Sequence, residues 1–148
     1  MTANATIDAL NQLLEIHYRS LPTYLTEAAP WTHEGDEQAT AAVEDIVASY
    51  KAIVTRLADE IQDRNGVVDP GDYPSEYTDL HFLSLDFLLL EIQASLDRDI
   101  ESIQQCVQWL QQDRVGLALA EEALGNARGH RQTIAELLKR AGSRAAQA

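Results

Sequence analysis

The stretch Ser75–Gln112, SEYTDLHFLSLDFLLLEIQASLDRDIESIQQCVQWLQQ, decides how this chain is read. It holds neither Pro nor Gly. Apolar residues recur at Phe82, Leu85, Leu89, Ile92, Leu96, Ile100, Ile103, Val107 and Leu110, three or four apart, a spacing that only a helix gathers into one stripe. A second stripe passes through Leu80, Leu83, Phe87, Leu90 and Ala94. A helix apolar over so much of its circumference needs several neighbours to cover it. The pattern therefore predicts one long helix over 75–112, with the rest of the chain packed around it.

Those neighbours are legible on both sides. Residues 5–29 carry Ile7, Leu10, Leu13, Leu14, Leu21 and Leu25 on one helical side, with Asn4 or Thr6 as cap. Pro22 interrupts this segment, so the helix either kinks there or splits in two. Residues 36–64 form a second helix capped by Asp36, with Ala39, Val43, Ile46, Val47, Tyr50, Ile53, Leu57 and Ile61 on its apolar face and Asn65-Gly66 as its stop. Two prolines and a glycine keep 67–74 irregular. A last helix over 115–141 has an alanine-rich face, Gly142 is expected to end it, and 142–148 is expected to fray. No strand pattern is present. Short connections make successive helices antiparallel, giving an all-α, up-down-up-down four-helix bundle in a single domain over 1–148.

Composition narrows the function classes. A net charge of −13 argues against binding nucleic acid or an anionic membrane, where Lys and Arg supply the attraction. No apolar run approaches the ~20 residues a membrane span needs. The N-terminus MTANATIDAL has no basic n-region or long apolar core, so no signal peptide and a cytoplasmic location are expected. The lone Cys106 rules out an internal disulfide and a Cys-rich zinc site, and its place in the stripe marks it as a small buried hydrophobe.

In a bundle, chemistry comes from polar side chains that face the centre. His17 falls among Leu10, Leu13 and Leu21; His130 falls among Ala123, Ala127 and Ile134; Tyr50 lies in the middle of its helix's apolar face. On 75–112 one polar gap holds Asp79, Asp86, Gln93, Asp97, Gln104 and Gln108 and is read as solvent-facing. The other holds His81, Ser84, Glu91 and Ser95, which turns Glu91 and His81 inward. Counted from one pole, His17, Tyr50, Glu91 and His130 come to nearly one level. His17, Glu91 and His130 are thus the candidate metal ligands, with Tyr50 and His81 around them. Two imidazoles and a carboxylate suit iron, zinc or manganese, and the alternative is a set of core residues with satisfied polar tips. His33, in Thr32–Gly35, reads as a loop residue. Gly125 and Gly129 open the possibility of a distortion in the last helix.

Helix number and length, acidity, and the inward His and Glu residues resemble the ferritin-like superfamily. That resemblance implies a Glu on each of two helices, a Glu-x-x-His on each of the other two, and a pair of irons. Glu91 matches the lone Glu of the third helix. The second helix has no histidine, and Glu121 and Glu122 lie across the wheel from His130, so the motif itself is missing. The expectation is a non-catalytic bundle acting through protein–protein contacts. Leu83, Leu90 and Ala94 form a partly exposed apolar strip that points to a homodimer. The alternative is a ferritin-like protein with a reduced metal or small-ligand site in its core.

Overall fold

The computed structural model describes residues 2–27, 37–80 and 85–147. Among them the secondary structure is helical, with no strand. Among the described residues no helix is long and apolar enough to cross a membrane.

Helix α1 spans Ala3–Tyr18 and starts earlier than expected. Its cap is Thr2, whose hydroxyl oxygen accepts the Ala5 N–H at 3.1 Å. Thr6 is already inside the helix, donating its hydroxyl to the Thr2 carbonyl. The chain then breaks, and α2 runs Leu21–Glu27. Pro22 lies in the first turn of α2, where a missing N–H costs nothing. Ser20 caps that turn by accepting the Thr23 N–H at 3.3 Å, while the Thr23 hydroxyl donates to the last carbonyls of α1 at His17. Pro22 therefore separates two helices.

Helix α3, Glu37–Asp63, ends as the Asn65-Gly66 pair predicts. Asn65 takes a left-handed φ of 59° and the Gly66 N–H closes on the Ile61 carbonyl at 2.9 Å. The cap Asp36 and the Thr32–Gly35 turn with His33 lie outside the described residues. The irregular connection 67–74 is sewn to α1: the Asn11 amide donates to the Val67 carbonyl (2.9 Å) and accepts the Asp69 N–H (2.8 Å), and Arg19 Nε donates to the Gly71 carbonyl (2.9 Å). Gly71 sits at φ 65°, a left-handed conformation that favours glycine, with the Glu15 side chain against it.

The stretch 75–112 is not one α-helix. Ser75–Leu80 forms a 3-10 helix, 81–84 lie outside the described residues, and α4 spans Leu85–Trp109. The tighter winding has a visible cause. The Tyr77 N–H bonds the Pro74 carbonyl three residues back, and the Tyr77 ring packs against Tyr24 and Tyr73 at 5.5 and 6.4 Å. Aromatic contact with α2 overrides local helix propensity here.

Helix α5 spans Arg114–Gln147, so Gly142 does not end it and the expected frayed tail is helical to Gln147. Gly125 and Gly129 remain inside it, with no atom within 4 Å of where a Cβ would lie. The α-helix runs unbroken through both glycines to His130 and beyond.

Packing joins α1 to α3 and α4, α5 to α3 and α4, and α2 to α3 and α4. The buried apolar residues fall into two clusters. One joins Leu10, Leu13 and Leu14 to Ile53, Leu57, Ile61, Ile103, Cys106, Leu110, Ala120, Ala123 and Ala127. The other joins Leu21 and Leu25 to Val43, Ile46, Tyr50, Leu88, Leu89, Ile92, Leu96 and Ile134. On α1, α3, α4 and α5 alike, the boundary between them falls within about one turn of His17, Tyr50, Asp99 and His130.

At the far end of the first cluster, Arg64 clamps the α4–α5 corner. Its guanidinium forks onto Asp113 at 2.6 and 2.8 Å while its Nε reaches Glu60 at 2.9 Å. Asp113 also caps α5 by accepting the Gly116 N–H at 2.8 Å. The Arg64 hydrogen bonds hold the Asp113 carboxyl below the usual carboxylate range. Its contribution is therefore present above the unfolded pKa of about 3.9 and lost as pH falls through the lower folded value. Asp113→Ala, losing cap and fork together, is expected to destabilise by about 2 kcal/mol in urea titrations at pH 7. Asp113→Asn, which keeps the cap, should lose less, and both differences should shrink as pH falls below the unfolded pKa of about 3.9.

Candidate functional site in the core

Each helix delivers its polar residue by the same three-and-four spacing that delivers its leucines. On α1 the inward line is Leu10, Leu13, Leu14, His17, so His17 arrives with only 1% of its surface exposed. Its Nδ1 lies 2.7 Å from the Leu13 carbonyl. A carbonyl only accepts, so the hydrogen is on Nδ1, and in the neutral ring Nε2 is a bare lone pair. That Nε2 is buried and has no hydrogen-bond partner.

On α3, Tyr50 lies among Val43, Ile46, Val47 and Ile53, again 1% exposed. Its ring meets His17 edge to face, with centroids 4.5 Å apart and an interplanar angle of 72°. His130 of α5 approaches the same ring at 6.1 Å and 70°. His130 is half-buried, but its Nε2 is buried and likewise without a partner. The Tyr50 hydroxyl donates to Asp99 Oδ2 of α4 at 3.0 Å.

The structure thus brings together three of the residues singled out from sequence, His17, Tyr50 and His130, and adds Asp99. Glu91 is partly buried and takes no part in these contacts. The inward line of α4 runs Leu88, Ile92, Ser95, Asp99, Ile103, Cys106, Leu110, and Glu91 sits one residue, about 100°, off it. Ser95 does face inward, 2% exposed, with its hydroxyl closed onto the Ile92 carbonyl at 2.7 Å. His81 lies outside the described residues. Among the described residues no three His, Cys, Asp or Glu side chains are arranged to hold a metal ion by themselves.

Burial sets the protonation states. It lowers the His17 pKa to about 4, with His130 adding to the depression against the Leu13 hydrogen bond. Burial also lowers His130, opposed by the charge of Asp45. Asp99 is raised to about 7, again by burial, which outweighs the Tyr50 hydrogen bond and the charge of Arg98. Burial and then Asp99 push the Tyr50 phenol well above its ordinary value. At neutral pH both imidazoles are uncharged and the phenol keeps its proton. Elsewhere, burial pushes the Cys106 thiol up to about 11, so it is an inert core residue.

A scan against protein-family models finds no match for the chain, and searches of the curated proteins and of the solved structures likewise find none.

The two kinds of group impose opposite pH slopes. His17, with a folded pKa of about 4 against 6.5, contributes stability that is complete above pH 6.5 and lost as pH falls towards 4. Asp99, with a folded pKa of about 7 against 3.8, is favoured below pH 3.8 and loses that advantage as pH rises through 7. Asp99→Asn, which keeps an acceptor for the phenol without the charge, is expected to be more stable than the parent at pH 8 and to lose that margin near pH 4. Tyr50→Phe should cost about 1–2 kcal/mol by leaving Asp99 without its donor. Chemical denaturation at the two pH values reads both.

Proposed function

We propose that this chain is a non-catalytic helical protein that acts through protein–protein contact, first of all with a second copy of itself. The observation that carries the reading is the outer face of α4. Phe87 and Leu90 are 43% and 53% exposed, and Ala94 is exposed one turn further along. Their spacing puts all three on one face, opposite the buried line through Leu88, Ile92 and Ser95.

The strip is self-complementary. A two-fold axis near Leu90 pairs Leu90 with its own copy and sets Phe87 of one chain over Ala94 of the other, large against small, as an isologous contact requires. Beyond the strip, Asp97 and Arg98 make a polar rim. We read the overall architecture as a ferritin-like four-helix bundle with α1 antiparallel to α3 and α5 antiparallel to α4. The two apolar clusters support this, since one joins the late parts of α3 and α4 to the early part of α5 and the other joins their early parts to its late part, so that α3 and α4 run parallel. With α4 on the bundle's outside, two such bundles meet side by side.

Sedimentation velocity is expected to show a dimer at micromolar concentration. Leu90→Glu, which sets two carboxylates face to face at the axis, should give a folded monomer. A monomeric parent up to about 100 μM, weaker than any ~6 kcal/mol association, would remove the reading.

A further inference from the structure

We propose that Arg19, at the corner between α1 and α2, is the docking point for a carboxylate side chain of a protein partner, one flanked in that partner by basic residues. The Arg19 guanidinium is held in place by the chain's own groups. Its Nε donates to the Gly71 carbonyl at 2.9 Å and to the Pro70 carbonyl at 3.2 Å. Its plane lies over the Tyr18 ring at 4.5 Å and over the Tyr73 ring at 4.8 Å. Tyr24 and Tyr77 pack against Tyr73 at 5.0 and 6.4 Å. Four of the chain's five tyrosines thus belong to one cluster with this arginine, and tyrosine with arginine is the composition of interface hot spots.

Fastening the 67–74 connection uses Nε alone. The two Nη groups have no hydrogen-bond or ion-pair partner among the described residues. Glu15 stands four residues earlier, the spacing at which a helical carboxylate meets an arginine, yet the two form no ion pair and the Glu15 side chain lies against Gly71. With Nε occupied, the fork that remains is end-on, through both Nη groups, and it matches the two oxygens of a carboxylate. An arginine already fixed by stacking and by backbone carbonyls loses little freedom when it binds. The surroundings define the rest of the partner. Asp69, Asp72 and Glu76 are exposed on the segment that carries Tyr73, so an acid-rich partner is repelled and Lys or Arg beside the docking carboxylate is favoured. The site shares no residue with the α4 strip and does not rest on it.

The test is titration of the full chain with two acetylated, amidated pentapeptides, Lys-Ala-Glu-Ala-Lys and Lys-Ala-Gln-Ala-Lys, followed in arginine side-chain ¹⁵N spectra. The Glu peptide is expected to move the Arg19 resonances to saturation, and the Gln peptide to bind roughly tenfold more weakly or worse, having lost the charge-assisted pair. Arg19→Lys, which keeps the charge and loses the fork, should weaken the Glu peptide by a similar factor with helicity unchanged. Should that variant fail to fold, the parent decides: the Glu peptide must move the Arg19 signals and leave those of the exposed Arg114 where they were. No binding, equal binding of the two peptides, or shifts at Arg114 without shifts at Arg19 would overturn the proposal.

Discussion

Everything central in this molecule depends on one hydrogen bond made where water is scarce, from the Tyr50 hydroxyl to Asp99. A carboxyl and a phenol placed in a low-dielectric interior are costly unless they satisfy each other. The pair does so, and it fixes α3 against α4 at one height. The two imidazoles that flank the Tyr50 ring then bring α1 and α5 to the same height. Above and below this level the packing is leucine, isoleucine and alanine, which specify density but tolerate sliding. A shift of one turn would set His17 or Asp99 against leucines, so the polar layer gives the helices their register.

The layer also makes the interior electrically frugal. At neutral pH its imidazoles are held uncharged by burial, and its one acid sits near its midpoint. Acid favours charging the histidines and base favours ionising Asp99, so the core is best matched to the range between. The periphery is held by a different device. Arg64 joins the end of α3 to the cap of α5 through Asp113, and Asn11 and Arg19 fasten the irregular 67–74 connection to α1.

Much of this was legible in the residues. Helix positions followed from apolar spacing, and Asn65-Gly66 ended α3 as its chemistry requires. His17, Tyr50 and His130 could be picked out because each is a polar residue inside an apolar arc. Asp99 was hidden by its surroundings, since Asp97, Arg98, Asp99 and Glu101 read together as a solvated run. The signal that identifies it is its register: four residues after Ser95 and four before Ile103, in phase with the buried line. Glu91 misled because a second apolar stripe, with Phe87 and Leu90, blurs the wheel, and those two residues are in fact exposed. The 3-10 winding of Ser75–Leu80 was out of reach of local pattern, because its cause is the packing of Tyr77 on tyrosines distant in sequence. Gly142 looked like a stop only because glycine favours helix ends, while α5 continues through it.

The most direct test of the buried layer is the protonation of His17 followed by long-range ¹H–¹⁵N spectra as pH is lowered. The account predicts a neutral ring with its proton on Nδ1 and a bare Nε2, staying neutral through pH 6 and taking a second proton only near pH 4. A ring protonated on Nε2, or one titrating near 6.5 as a solvated histidine does, would contradict it.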